Sequence, residues 1–327
     1  MSAQFSKYFF FILLIAVGCG NPNSQKETPS PRIRVGVLNG PSAISIVKMM
    51  NDARSEKDSR TVEFILKSEP SQIKSMMYRE EVEFAFLPST TAAILYNMGF
   101  NYQVAVIPLW GTMYLIGEDE TVKSIDDLKG KTVYQMGRGV TPDVVFRFIL
   151  EKRGLIPDKD IKIDYSFPSH IDLANAVKAG IAKLGVISEP QVSMIIKQNP
   201  KVKSLIDLTR EWDRATLDSI PFAQTFIVVN RTFAGKYPEK VKQFLIDYEN
   251  NINWINEHPA EAAGLIVRNG ILPDSMVAYS CIPRCNMKYV LAGSVRNQVM
   301  NYFNLFFLLN KDIIGGKMPD ENFFYNE

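Results

Sequence analysis

Ile33-Arg34-Val35-Gly36-Val37-Leu38-Asn39-Gly40-Pro41-Ser42 runs straight into Ala43 to Asp52, and the reading of this stretch sets the class of the chain. Its first six residues are rich in β-branched side chains, which suit a strand. Asn39 to Ser42 supplies turn formers. Beyond them Ile44, Val47 and Met50, with Ala43 and Ile46 alongside, repeat at helical spacing. Working outward, the same order returns. Thr61 to Leu66 is expected to be a strand and Ser71 to Met77 a helix. Glu83 to Leu87 is a third expected strand, ending in Pro88-Ser89-Thr90-Thr91 before a helix from Ala92 to Met98. Strands alternating with helices predict a parallel sheet covered on both faces, an α/β lobe.

After Val104 to Leu109 the pattern restarts. Thr112 to Gly117 reads as a strand, Ser124 to Gly130 as a short capped helical turn, and Lys131 to Gln135 as another strand. Met136-Gly137-Arg138-Gly139-Val140-Thr141-Pro142 leads into a helix expected over Asp143 to Arg153. Pro142 fits a first helical turn, where its missing N–H would have been unpaired anyway. Asp160 to Tyr165 is a strand, Ile171 to Ala179 a helix, and Lys183 to Ile187 a strand closing in Ser188-Glu189-Pro190. These elements predict a second α/β lobe. Phe222 to Asn230 is strand-like, and helices are expected over Pro238 to Ile255, Pro259 to Asn269 and Tyr289 to Leu309. The last contains Asn297, Gln298, Asn301 and Asn304, so it reads as a packed helix and not a membrane span. Helices without new strands cover a sheet already built, so the tail is expected to return to the first lobe.

At the other end, Lys7 precedes the apolar run Tyr8 to Val17, which stops at Gly18-Cys19 and gives way to a polar stretch as far as Pro31. A cation, a short apolar run and a small-residue junction describe an export signal. The run is shorter than the roughly 20 apolar residues of a spanning helix. Residues 1–18 are therefore read as a signal peptide and 19–31 as a flexible tether. Gly18-Cys19 resembles the bacterial lipobox, with Ala16 where Leu is commonest. That resemblance implies diacylglycerol on the Cys19 thiol, cleavage before it, acylation of the new amino terminus, and a lipoprotein held at the cell envelope facing the periplasm or exterior; the alternative is a plain secretory signal with an incidental Cys.

Composition narrows the function. The 327 residues are 46% hydrophobic, and roughly 300 remain after the leader, enough for two lobes of ordinary domain size. Lys+Arg number 37 against Asp+Glu 35, so there is no broad basic surface for nucleic acid. With Cys19 carrying lipid, Cys281 and Cys285 remain, and their spacing matches no metal framework; His170 and His258 are the chain's two imidazoles. No metal or cofactor is expected. The two thiols either pair or serve as small packing residues.

In open sheets of this kind, ligands sit beyond the carboxyl ends of the strands, where helices begin with unpaired, partly positive N–H groups. Four small, polar loops have that position: Asn39-Gly40-Pro41-Ser42, Pro88-Ser89-Thr90-Thr91, Gly137-Arg138-Gly139-Val140-Thr141 and Ser188-Glu189-Pro190. Such loops donate backbone and hydroxyl hydrogen bonds to a compact anionic or polar molecule. Gly, Pro and Ser also end strands for structural reasons alone, so the weight rests on their recurrence in corresponding places of two lobes. The ligand-binding candidates are Asn39, Gly40, Ser42, Ser89, Thr90, Thr91, Gly137, Arg138, Gly139, Thr141 and Glu189, with Trp110 and Gln224 at the passages between lobes. Arg138 is the cation among the loops, or an ordinary solvated one. Trp110 stands against the ligand or packs the hinge, and Phe222 is a similar case.

Three motifs carry a family resemblance. Ser124-Ile-Asp-Asp-Leu-Lys-Gly-Lys131 precedes a strand and a Gly-rich loop; Lys152-Arg-Gly-Leu-Ile-Pro157 is followed by Asp160; and His170 to Gly180 is followed by Ser188-Glu189-Pro190. Together they resemble type II periplasmic substrate-binding proteins of ABC importers, in the nitrate, sulfonate, taurine and thiamine-precursor branch. The resemblance implies two lobes, each a mostly parallel sheet flanked by helices, spanning 32–110 plus 222–327 and 111–221. It implies two crossovers forming a hinge, near Pro108 to Thr112 and Asp218 to Gln224. The implied function is capture of a small anionic or heteroaromatic solute, of sulfonate, nitrate or pyrimidine type, between the lobes, and its delivery to an ABC permease and ATPase. Ile181-Ala-Lys-Leu-Gly185, where relatives often carry an acidic residue, and Pro88 with its hydroxyl neighbours depart from the pattern. Both touch ligand identity and not the fold. The implied protein is a monomer and not an enzyme. The alternatives are an enzyme on the same fold, of pyrimidine-precursor or menaquinone-pathway type, which an export signal opposes, and a ligand sensor for a membrane kinase.

Overall fold

The computed structural model describes residues 31–55 and 62–326. The proposed leader, Cys19 and Thr61 lie outside the described residues. The chain opens with β1 (Ile33–Leu38), α1 (Pro41–Ile44), α2 (Val47–Ser55), β2 (Val62–Lys67), α3 (Pro70–Tyr78), β3 (Phe84–Pro88), α4 (Ser89–Asn97) and β4 (Tyr102–Leu109). A second series follows: β5 (Met113–Gly117), β6 (Thr132–Tyr134), α5 (Thr141–Lys152), β7 (Lys162–Asp164), α6 (His170–Lys178), β8 (Leu184–Ser188), α7 (Gln191–Gln198), β9 (Lys203–Asp207) and α8 (Leu208–Thr216). The remainder is β10 (Thr225–Asn230), α9 (Arg231–Lys236), α10 (Pro238–Glu257), α11 (Pro259–Arg268), α12 (Ser275–Cys281), β11 (Met287–Leu291) and α13 (Arg296–Leu309).

Two sheets result, ordered β11-β4-β10-β3-β1-β2 and β7-β6-β8-β5-β9. They are mixed, which corrects the expectation of mostly parallel sheets. β1 pairs in parallel with β2 and β3, but β10 lies antiparallel between β3 and β4, and β11 antiparallel to β4. In the second sheet β6 pairs in parallel with β7 and β8, while β5 lies antiparallel between β8 and β9. The cause is the crossovers. β5 and β10 are the strands that enter each sheet from the other half, and both insert against the direction of the β–α repeats.

The tail differs in one place. Met287 to Leu291 is an edge strand, and only Arg296 to Leu309 is helix. Tyr289-Val290-Leu291 has the β-prone composition that pairing with β4 rewards. Elsewhere the tail covers the first sheet, with Phe244 and Tyr248 of α10 against Phe84 and Phe86. The opposite face joins the halves. Trp212 of α8 is fully buried and packs on Phe148 at 5.0 Å, Phe222 at 5.5 Å and Tyr302 of α13 at 5.6 Å between ring centres.

The crossovers, residues 110–112 and 217–224, are bonded to each other. Thr112 N donates to Gln224 Oε1 at 2.7 Å, and Gln224 N to Leu109 O at 3.1 Å. Gly111 has φ +97°, and a Cβ there would strike Thr209 and come within 2.8 Å of Phe222 Cδ1. Only glycine fits that crossing. Cys281 and Cys285 are both buried free thiols.

Candidate ligand-binding cleft

Register brings the strand ends of each sheet into one line. Thr225 stands opposite both Pro88 and Leu109, and Leu38 ends β1 on the same edge. In the second sheet Met113 pairs with Ser188, beside the end of β6. Between these edges lies a cavity of about 160 Å³. The first sheet's side contributes Leu38, Asn39, Pro41, Ser42, Pro88, Leu109, Gln224 and Thr225; the second contributes Met136, Thr141, Pro142, His170, Ser188 and Glu189. Its volume is below the roughly 300–1,000 Å³ typical of drug-sized ligand sites, so the space suits a compact molecule.

Of the residues singled out from sequence, Asn39, Ser42, Thr141, Glu189 and Gln224 line this cavity. Gly40, at φ +104°, faces Pro190 across the gap, where a Cβ would lie 3.8 Å from the Pro190 ring. Thr90 Oγ1 is 2.9 Å from Thr141 Oγ1, a buried hydroxyl contact between the halves. Ser89 is buried with its hydroxyl 3.1 Å from Tyr302 Oη, and Thr91 follows in the first turn of α4. Trp110 turns its indole N–H to the carbonyls of Ile107 and Lys288, both at 3.1 Å, and lines a separate groove with Thr209, Phe222 and Asn286.

The Gly137-Arg138-Gly139 loop is held from behind. Gly139 N donates to Asp143 Oδ2 at 2.8 Å. Arg138 sits 3.6 Å from Asp158 and 4.9 Å from the Tyr165 ring centre, with 65% of its side chain exposed. Arg147 ties Asp143, Asp158 and the Tyr165 hydroxyl together at 3.0, 3.1 and 2.6 Å. Burial first, then the hydrogen bond to Asp143, push the Tyr165 hydroxyl up to about 12. Arg138 and its two glycines are therefore not among the cavity's lining residues.

Glu189 is the most constrained member. Its side chain is wholly buried; it accepts from Ser193 N and Ser193 Oγ, each at 3.1 Å, and lies 2.5 Å from Arg284 Nε. That approach is an ion pair and not an aligned hydrogen bond. Burial pushes its carboxyl up, opposed by Arg284 and the Ser193 bonds. His170, at the start of α6, is partly exposed on the cavity wall yet densely surrounded, and burial pushes its imidazole down to about 4. Ser188 N donates to its Nε2 at 3.4 Å, so the neutral ring carries its proton on Nδ1.

His170 and Arg284 were not among the sequence candidates. His170 begins the helix after β7 and so occupies a fifth loop of the same kind, which its position after a strand could have disclosed. Arg284 has no local signal, because it reaches the site only through the folding of a distant segment. Among the described residues, no group of His, Cys, Asp and Glu is placed to hold a metal.

A model of the periplasmic substrate-binding protein of phosphonate ABC transporters matches residues 44–270. The chain belongs to this family. An ABC transporter structure from Parabacteroides distasonis is 27% identical, covers 90% of this chain and 99% of its own, and superposes with a TM-score of 0.78. The periplasmic aliphatic sulphonate-binding protein SsuA of Escherichia coli is 16% identical over 91% of this chain and 93% of its own, with a TM-score of 0.71. A Candida albicans protein with the generic periplasmic binding protein fold is 14% identical over 87% of this chain and 93% of its own, with a TM-score of 0.59. The curated Bacillus subtilis (strain 168) protein YtlA, named as a binding protein, is 32% identical over 88 residues, 27% of this chain and 26% of its own length. These likenesses establish the periplasmic binding protein fold. A periplasmic substrate-binding family works outside the cytoplasm, and no helix among the described residues is long and apolar enough to cross a membrane.

Proposed function

We propose that this protein is the solute receptor of an ABC importer, a monomer tethered to the cell envelope through lipid on Cys19. It takes one small molecule between residues 32–110 plus 222–327 and residues 111–221, and presents the loaded form to the permease and its ATPase. The observation that supports this most is the shared cavity wall. A molecule inside touches both sheets' strand ends at once, so it binds the closed arrangement better than an opened one and shifts the population towards it. Asn39, Ser42, Thr141, His170, Glu189 and Gln224 are its proposed polar contacts.

The test is mass spectrometry of whatever copurifies with the protein, followed by titration of that compound into stripped protein under small-angle X-ray scattering. One solute per chain and a smaller radius of gyration are expected. The reading is wrong if no copurified or screened small molecule changes either the radius or the melting temperature.

A further inference from the structure

Charge at the cavity is balanced by the protein itself. Glu189 is the one charged side chain among the described residues that line it. Its counter-ion comes from the opposite half. Arg284 lies in the short turn Ile282–Cys285 after α12, ahead of β11 of the first sheet. Its guanidinium sits over the Tyr114 ring at 4.1 Å, donates to Ser204 Oγ at 3.2 Å and meets Glu189 at 2.5 Å, all three on the second half. A buried carboxylate is tolerated when paired in this way.

One amide at each of three helix starts beside the cavity is also taken. Ser193 N, in the first turn of α7, is taken by Glu189 Oε2; Gly139 N, ahead of α5, by Asp143; and Ser89 N, opening α4, by the Gln224 carbonyl at 3.0 Å. Helix starts attract anions through unpaired N–H groups, and these three N–H groups have protein partners. Arg138 directs its charge at Asp158 and Tyr165. What faces the space is a set of hydroxyl, amide and neutral imidazole groups beside Leu38, Leu109 and Met136.

We propose that the cleft takes a compact solute without net charge, bearing hydrogen-bonding groups on an apolar or aromatic body, and that Arg284 sets this specificity by neutralising Glu189 across the gap. The proposal rests on the solute-receptor reading. A sulfonate or phosphonate would have to share the cavity with a buried carboxylate while the nearby cation is already engaged. Arg284 thus acts as a specificity-determining residue from outside the cavity wall.

The experiment is calorimetric titration of protein stripped of carried-over solute by unfolding and refolding. Methylphosphonate, ethanesulfonate and nitrate form one set of probes; uracil, cytosine and nicotinamide form the other. Wild type is expected to bind from the uncharged set and to hold methylphosphonate no tighter than roughly 1 mM. Glu189→Gln removes the carboxylate and frees Arg284, so it is expected to gain about tenfold or more in methylphosphonate affinity. Micromolar binding of methylphosphonate or ethanesulfonate by wild type overturns the proposal, as does a folded E189Q that gains nothing. Should E189Q not fold, the wild-type anion titration decides alone. Failure of the receptor reading looks different: no probe and no copurified solute then binds wild type, whereas the E189Q contrast with methylphosphonate is still read.

Discussion

Acid should weaken this protein through His170, and the size of the effect follows from its surroundings. Burial holds the imidazole at about 4, against an ordinary value near 6.5 in the unfolded chain. Because the folded-state value is depressed, the unfolded chain binds the extra proton first. The contribution is complete above pH 6.5 and is lost as pH falls towards 4. At pH 4.5 the unfolded ring is almost wholly charged while the folded ring is mostly neutral, a difference of about 2.5 kcal/mol. For a chain of this length that corresponds to roughly 5 °C in Tm. Glu189, the other titrating group on the wall, works in the opposite sense, since burial raises its carboxyl and protonation relieves it; it is present in both proteins compared. His170→Gln keeps a neutral polar side chain and removes the titration. Thermal unfolding by circular dichroism at pH 7.5, 6.0 and 4.5 should show wild type losing about 5 °C more than H170Q between the extremes. Parallel curves for the two proteins would refute the reasoning.

Gly111→Ala should destabilise by about 2–4 kcal/mol, since it combines positive-φ strain with a forced displacement of Thr209 and Phe222; urea unfolding measures it, and a loss under about 0.5 kcal/mol contradicts the tight crossing. Arg138→Ala should leave solute affinity within about twofold, because the side chain is exposed and engaged behind its loop; a tenfold loss by calorimetry would place Arg138 at the solute. Cys19→Ala should move the protein from the detergent phase to the aqueous phase of a phase-partition assay, and unchanged partitioning removes the lipid tether.

The β–α alternation was legible because each unit is local: Val35 and Val37 declare a strand, and Ile44, Val47 and Met50 a helix, within twenty residues of each other. Pairing direction was not, since nothing within Thr225 to Val229 says that β10 will insert antiparallel between β3 and β4. Tyr289 to Leu291 reads as helix because apolar residues recur through Ala292, Val295 and Val299 into α13; only the free edge of β4 makes it a strand. β9 and α8 went unread between Lys203 and Thr216, where charged residues interrupt the pattern, although Trp212 proves to be the largest fully buried side chain. At the cleft, the loops ending β1 and β8 announced themselves by composition. The partners that decide their chemistry did not: Arg284 lies 95 residues from Glu189 in the chain (284 minus 189), and no pattern in either neighbourhood names the other.

The Trp212 cluster bears on the order in which this molecule can be completed. Tyr302 and Phe306 close it from α13, which follows every strand of both sheets in the chain. Each half can assemble its own sheet while the chain emerges, but the seam between them stays unsealed until those last aromatics arrive. A chain folding vectorially after export therefore passes through a stage with two finished sheets and an exposed aromatic face, and the final helix ends that stage.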